Sequence, residues 1–68
     1  MGEAIKRARL ARGMTQRELA ERADADVTWL SRLEAGGNPA WGTIKRVAAA
    51  LGLRASELAA QAEELERS

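Results

Sequence analysis

Apolar residues recur along this chain at the three- and four-residue intervals of an α-helix, and no segment alternates apolar and polar residues like a strand. The clearest stripe consists of Trp41, Ile44, Val47, Ala48 and Leu51. A second stripe, nearer the C-terminus, consists of Leu58, Ala62 and Leu65. The pattern predicts an all-α protein whose stripes face a shared core.

Helix-breaking residues divide the chain into five segments of helical composition. The breaks fall at Gly13, around residues 24–26, in the Gly-Gly-Asn-Pro run at residues 36–39, and at Gly52. The first helix is predicted over about residues 2–12. The second, third and fourth begin after Thr15, after Asp26 and near Trp41, and the fifth covers roughly residues 55–66.

Two of the predicted helix starts carry capping signals. Thr15 and Glu18 have the spacing of a capping box, in which each side chain accepts a hydrogen bond from the other residue's backbone N–H. Asp26 is a favoured N-cap, and its carboxylate suits the positive end of a helix dipole. Ala40 and Arg54 precede the fourth and fifth helices without such a signal. We therefore expect those two helices to begin less sharply.

The third predicted helix has two dissimilar faces when its residues are placed at about 100° intervals. The face that its leucines identify as the core side carries Trp29, Leu30, Leu33 and Glu34. The opposite, exposed face carries Val27, Thr28, Ser31, Arg32 and Ala35. Solvated helix faces are usually rich in Lys and Glu, so a stripe of small residues around one arginine indicates a contact surface.

Composition narrows the classes of function. Sixty-eight residues suffice for one domain, close to the smallest chain that can bury an adequate core. The absence of Cys and His excludes disulfides and thiolate zinc sites and removes the commonest general base. We therefore expect no enzymatic activity, no metal and no cofactor. Neither a membrane-spanning run nor a secretory signal is visible, so the expected location is the cytoplasm.

Charge is unevenly distributed although the net charge is only +1. Residues 1–22 contain six basic and three acidic residues, and residues 41–55 contain three basic residues and no acidic one. Residues 23–40 and 56–68 are net acidic. A local basic surface for nucleic acid is compatible with this distribution, and so are ordinary solvated helix faces.

Several residues stand in a characteristic order and spacing. They are Ile5, Arg9, Gly13, Thr15-Gln16, Leu19-Ala20, Ser31-Arg32-Leu33-Glu34, Gly36, Asn38-Pro39, Ile44, Ala48, Leu51-Gly52 and Leu58. Together they make residues 5–58 resemble the phage-repressor/Cro-type (Xre-like) helix-turn-helix family. The resemblance implies one compact five-helix, repressor-like domain over residues 1–68. Its second and third helices would form the helix-turn-helix, with the third helix in the major groove of DNA.

The resemblance also implies roles for individual residues. The base-reading residues would be Val27, Thr28, Ser31 and Arg32, on the same helix face that the spacing leaves exposed. Arg32 suits the O6 and N7 atoms of guanine. The phosphate-binding residues would be Gln16, Arg17, Asn38, Thr43 and Lys45, which position the protein without reading sequence. For Arg17 and Lys45, a solubilising surface charge is an equally good interpretation.

Other residues have structural interpretations. Arg9 and Glu34 match a family pair that joins the first helix to the third, and a carboxylate on a core face needs such a partner. We therefore assign Glu34 a structural rather than a catalytic role. Trp29 and Trp41 lie on apolar stripes. Both are predicted to pack in the core rather than stack on bases.

The acidic residues before the third helix depart from the family pattern. Asp24 occupies the turn position where the family usually has Gly, and Asp tolerates a left-handed backbone better than most residues. Asp26 replaces the usual Ser or Thr cap, and it could also accept a hydrogen bond from a cytosine amine. Both carboxylates should repel phosphates and lower the affinity for non-specific DNA.

Residues 59–68 extend the fifth helix beyond the usual core of the family. The apolar positions of this helix are more than one small core requires; they are Ala55, Leu58, Ala59, Ala62 and Leu65. A homodimer contact through Leu58, Ala62 and Leu65 is therefore predicted. A solvated C-terminus, or a domain separated from a following one, is the alternative.

Two functions compete on the sequence alone. The first is a sequence-specific, double-stranded-DNA-binding transcriptional regulator, acting as a repressor or autoregulator on an operator. The second is an antitoxin-like or anti-regulator module whose main partner is another protein, a toxin or a regulator. Arg32, Gln16 and the basic first helix favour DNA, whereas Asp24, Asp26 and the acidic C-terminal segment favour a protein partner.

Overall fold

A computed structural model describes residues 1–67 of the chain. This part of the chain contains five α-helices and no strand. The helices are α1 (Gly2–Ala11), α2 (Gln16–Arg22), α3 (Val27–Glu34), α4 (Trp41–Leu51) and α5 (Ala55–Arg67). The all-α prediction is therefore confirmed.

All five helices contribute to one hydrophobic core. Its largest fully buried side chains come one from each helix and are Ile5, Leu19, Leu30, Val47 and Leu58. Burying a side chain of this size contributes roughly 1.5–3 kcal/mol. Because Leu30 is completely buried, α3 cannot leave the other helices without exposing it, and the opposite face of α3 is held at a defined position.

Three helices end in the same way. Gly13 after α1, Asp24 after α2 and Gly52 after α4 have positive φ angles of 66°, 54° and 76°. In each case the next N–H donates to the carbonyl five residues earlier, at 2.8–3.1 Å, as in a Schellman motif. Asp24 is the one non-glycine residue in the described chain with a positive φ. It thus adopts the conformation predicted for it, in the turn between α2 and α3.

The helix starts follow their capping signals, with one exception. Thr15 Oγ1 accepts from the Glu18 N–H and Glu18 Oε1 accepts from the Thr15 N–H, each at 3.0 Å, which completes the predicted capping box. Ala40 caps α4 without a side-chain hydrogen bond, as expected. The start of α5 is better defined than predicted, because Glu57 Oε1 accepts a hydrogen bond from the Arg54 N–H at 3.0 Å and fixes the backbone that precedes the helix.

The two tryptophans differ from each other. Trp29 is half-buried and packs against the core, in line with its predicted role. The prediction for Trp41 was wrong, because 54% of its surface is exposed. Trp41 is the first residue of α4, Ile44 one turn later is half-buried, and Val47 is completely buried. The apolar stripe therefore enters the core only from its second turn onward.

The start of α1 lies against the end of α3. Gly2 is buried, and a Cβ added to it would lie 2.6 Å from the carbonyl oxygens of both Leu33 and Glu34. Only a residue without a side chain allows this backbone approach.

The last helix, α5, packs along the core. Leu58 and Ala62 are buried, and Leu65 is partly buried against the same cluster. Ser68, the end of the predicted extension over residues 59–68, lies outside the described residues. Between residues 1 and 67, no helix is both long enough and apolar enough to cross a membrane.

Candidate nucleic-acid interface

The turn between α2 and α3 sets the position of α3. Asp24 carries the left-handed φ, and the Ala25 N–H returns to the carbonyl of Ala20 at 2.8 Å. Asp26 then caps α3, its Oδ1 accepting from the Thr28 N–H at 3.2 Å. Two short helices are thereby joined by a turn of defined geometry, with both aspartates exposed beside the start of α3.

Three of the four predicted base-reading residues lie on an open face of α3. Thr28, Ser31 and Arg32 are exposed, as is Ala35 one turn beyond Ser31. Val27 differs because it is half-buried and packs against the core. A ligand at this face therefore meets Thr28, Ser31 and Arg32 most directly, and only an edge of Val27.

A concave surface beside Arg32 brings together residues from three parts of the chain. It is lined by Arg32 and Trp29 of α3, by residues of the α3–α4 loop that include Asn38, and by Thr43 of α4. Asn38 and Thr43 were predicted to bind phosphate from separate positions in the sequence. The fold places both next to the arginine predicted to read a base.

A second concave surface lies on the other side of α3. It is lined by Lys6, Gln16, Ser31, Glu34 and Ala35. Gln16, from the first turn of α2, is thus close to the exposed face of α3. Its side-chain Nε2 donates to Glu34 Oε1 at 3.2 Å, which holds the amide in place at the edge of this surface.

A buried ion pair joins α1 to α3 beneath these concave surfaces. Arg9 of α1 donates to Glu34 of α3 through Nε at 2.8 Å and through Nη2 at 3.2 Å. Arg9 Nη1 also donates to the carbonyl of Met14 at 2.8 Å. The side chains of Arg9 and Glu34 are 9% and 4% exposed. Glu34 therefore receives hydrogen bonds from α1 and from Gln16 of α2, and it fixes α3 relative to both.

Two of the predicted phosphate-binding residues are charged. Arg17 and Lys45, the remaining predicted phosphate-binding residues, are exposed. At the start of α2, hydrogen bonds from the backbone and side chain of Thr15 lower the pKa of Glu18 below its ordinary value of 4.5. Within residues 1–67, no group of three or more acidic side chains is placed to hold a metal ion.

Two further residues, one at the second concave surface and one behind the α2–α3 turn, were not predicted from the sequence. Lys6 joins Gln16 and Ser31 at the second concave surface. Arg46 of α4 donates through Nε to the carbonyl of Ala23 and through Nη2 to the carbonyl of Asp24, both in the α2–α3 turn. Nothing in the sequence distinguishes these side chains from other surface cations, because the contacts that define them come from different helices.

The comparison with known families agrees with this arrangement. A family model described as a helix-turn-helix domain matches residues 1–61, which include α2, the turn and α3. The chain belongs to this helix-turn-helix family. No curated protein matches the chain.

Membership gives the α2–α3 pair its general role. In helix-turn-helix domains the second helix of the motif presents side chains to the major groove, while the first crosses the backbone. In this helix-turn-helix domain α3 is the second helix of the motif, and its exposed face carries Arg32. The family is one of DNA-binding modules, which supports the predicted class of protein.

Proposed function

We propose that the protein is a sequence-specific regulator of transcription that binds a double-stranded DNA operator as a repressor or autoregulator of the phage-repressor/Cro type. The observation that carries the proposal is the exposed face of α3. It presents Thr28, Ser31 and Arg32 from a helix whose other face is anchored by Leu30 and Glu34. A rigidly held helix with one long basic side chain among small residues fits the major groove.

Arg32 is the principal base-reading residue in this proposal. Its guanidinium has the fork of donors that matches guanine O6 and N7. Thr28 meets a thymine methyl group or a phosphate from the first turn of the same helix, and Ser31 meets a base edge beside it. Val27 contributes only the part of its side chain that the core leaves accessible.

The flanking residues position the protein on the DNA backbone. The proposed phosphate contacts are Gln16, Arg17, Asn38, Thr43 and Lys45. Asn38 and Thr43 share a concave surface with Arg32, which supports a strand of backbone passing beside the base-reading residue. Contacts of this kind contribute affinity at any sequence.

The aspartates before α3 limit that affinity. Asp24 and Asp26 are exposed at the start of α3, where they repel phosphate oxygens. We propose that they lower non-specific binding and leave discrimination to Arg32. Asp24→Asn, Asp26→Asn should bind random duplexes more tightly than the parent at the same salt concentration, and unchanged binding would contradict this role.

The proposal is tested by selecting bound duplexes from a random library and measuring their affinity across salt concentrations. A defined sequence should be enriched. Its affinity should fall as the salt concentration rises, because the counterions that binding releases then enter a more concentrated solution. Arg32→Ala should weaken the selected site by about 1–3 kcal/mol and relax preference at one base pair. Arg54→Ala, which removes another exposed arginine from outside the concave surfaces around α3, is the control. Absence of enrichment by the wild type would refute sequence-specific binding.

A protein partner remains the second candidate function, that of an antitoxin-like or anti-regulator domain. The exposed ring of Trp41 favours it, because large aromatic side chains are enriched in protein interfaces. A wild-type protein that selects no DNA sequence, yet binds the product of the adjacent gene through Trp41, would support this function over the first.

We further propose that the regulator is cytoplasmic and acts as a homodimer, since two-fold operators present two half-sites. Leu58 and Ala62 are buried in the core of the chain itself, so a contact through α5 would use the accessible part of Leu65 and its exposed neighbours. Sedimentation at high micromolar concentration, with and without the selected operator, tests this. A monomer under both conditions would exclude the dimer.

A further inference from the structure

Arg46 makes contacts that join three elements of the DNA-binding motif and its support. It belongs to α4, yet its guanidinium donates to the carbonyls of Ala23 and Asp24, the residues that lead from α2 into the turn. The same guanidinium carbon lies 6.0 Å from the centre of the Trp29 ring on α3. One side chain therefore touches the end of α2, the turn and α3.

The chemistry of these contacts favours arginine. Carbonyl oxygens at the C-terminal end of a helix carry partial negative charge, which a cation stabilises. The planar guanidinium donates two hydrogen bonds from one fork and can also lie over an aromatic face. A lysine ammonium has the same charge but lacks the fork and the flat surface.

The position of these contacts matters because the turn is strained. Asp24 has a φ of 54°, in the left-handed region that residues with a Cβ rarely adopt. The two carbonyls that Arg46 binds belong to Asp24 and to the residue before it. Arg46 thus stabilises the left-handed backbone of Asp24, which glycine would adopt without strain and aspartate adopts at a cost.

We propose that Arg46 is a positioning residue for DNA recognition, which holds the α2–α3 turn and thereby the angle at which α3 presents Arg32. The inference rests on the proposed DNA-binding function. The phosphate contacts at the start of α2 and the base contacts of α3 must be made together, so the angle between the helices determines affinity. If loss of Arg46 left the turn in its native geometry one tenth of the time, the apparent Kd would rise about tenfold.

The experiment compares the full chain with its variants Arg46→Met, Arg46→Lys and Arg54→Met. Arg54→Met is the control, because it removes an exposed arginine that does not contact the α2–α3 turn. Binding to the selected duplex is measured at a temperature where circular dichroism shows every variant to be folded. Arg46→Met should weaken binding by several-fold to about tenfold, Arg46→Lys should restore little, and Arg54→Met should have a small effect. Equal affinity of Arg46→Met and the wild type would overturn the proposal.

The salt dependence separates positioning from direct contact. A residue that binds phosphate contributes about 0.9 to the slope of log affinity against log salt concentration. Because Arg46 acts through the turn, Arg46→Met should leave that slope unchanged. A slope reduced by about one unit would make Arg46 a phosphate contact and overturn the proposal.

A double-mutant cycle with Asp24→Gly tests whether Arg46 affects DNA binding through the α2–α3 turn. Glycine adopts positive φ without strain, so the fold-loss caused by Arg46→Met should be smaller when residue 24 is glycine. An equal loss in both backgrounds would overturn the proposal. Arg46→Met should also shift the amide NMR signals of residues 23–26 and the Trp29 indole signal in the free protein. If the wild type bound no specific DNA sequence, the proposed function would fail. Unchanged amide signals in Arg46→Met would show, independently of DNA binding, that Arg46 does not hold the α2–α3 turn.

Discussion

Gly2 lies where helix propensity and tertiary packing predict opposite results of one substitution. In the first turn of an isolated helix, Gly→Ala removes backbone freedom from the unfolded chain and stabilises the helix by up to about 0.5–1 kcal/mol. In this fold, the added methyl carbon would lie 2.6 Å from the carbonyl oxygens of Leu33 and Glu34. We therefore expect Gly2→Ala to destabilise the protein.

The magnitude follows from what can move. Ordinary van der Waals contact begins at 3.4 Å, so the methyl group overlaps two oxygens at once. Both oxygens belong to backbone at the end of α3, and neither can rotate away as a side chain would. Relief requires α1 and α3 to separate near the Arg9–Glu34 pair. Overpacking typically costs about 1–3 kcal/mol, and because two backbone oxygens are overlapped at once we expect the upper part of that range, about 2–3 kcal/mol. After the propensity gain, the free energy of unfolding should fall by about 1–2.5 kcal/mol.

The matched control is Gly42→Ala, in the first turn of α4. A Cβ at Gly42 would meet no atom within 4 Å, and its φ is not positive. The same substitution should there leave stability unchanged or raise it by up to about 0.5–1 kcal/mol. Urea denaturation followed by circular dichroism measures both variants. A Gly2→Ala protein as stable as Gly42→Ala would refute the close approach of α1 to α3.

Three further predictions concern the Arg9–Glu34 ion pair, the turn residue Asp24 and the capping box of α2. Glu34→Ala should lower the free energy of unfolding by about 3–5 kcal/mol because it leaves the Arg9 guanidinium buried without its carboxylate, whereas Arg9→Met combined with Glu34→Leu should recover much of the loss. Urea denaturation tests both, and a small effect of Glu34→Ala would contradict the structural role of the pair. Asp24→Gly should raise the free energy of unfolding by about 1 kcal/mol at most, because it relieves the left-handed φ, and the melting temperature should rise with it. A lower melting temperature would show that the aspartate side chain stabilises the turn. The lowered pKa of Glu18 means that its carboxylate stabilises the fold above pH 4.5 and that this contribution is lost as the pH falls through the folded-state pKa. Stability of Glu18→Gln should therefore fall less than that of the wild type on acidification, and parallel pH profiles would contradict the capping box as its source.

The local structure of this protein was predictable because its signals lie within a few residues of one another. Thr15 and Glu18 form their capping box through contacts three residues apart, and Asp26 caps α3 through the N–H of Thr28. Asp24 was predicted to be left-handed from the family resemblance, which implies a glycine at this turn position, and aspartate tolerates that conformation better than most residues. The faces of α3 followed from helical geometry and two leucines. These features depend on the backbone and its immediate neighbours, which the order of residues specifies directly.

Tertiary structure decided the features that depend on where one helix ends against another. Trp41 shares a stripe with Val47, yet it is exposed at the start of α4 while Val47 is completely buried. Gly2 needs its small size only because α1 begins against the carbonyls of α3. The Gln16 amide, read as a phosphate contact, also donates to Glu34. Arg46 reaches a turn more than twenty residues earlier in the chain. Periodicity determines which side of a helix is apolar, whereas the distance and angle between packed helices determine which of those residues are covered and which charges meet.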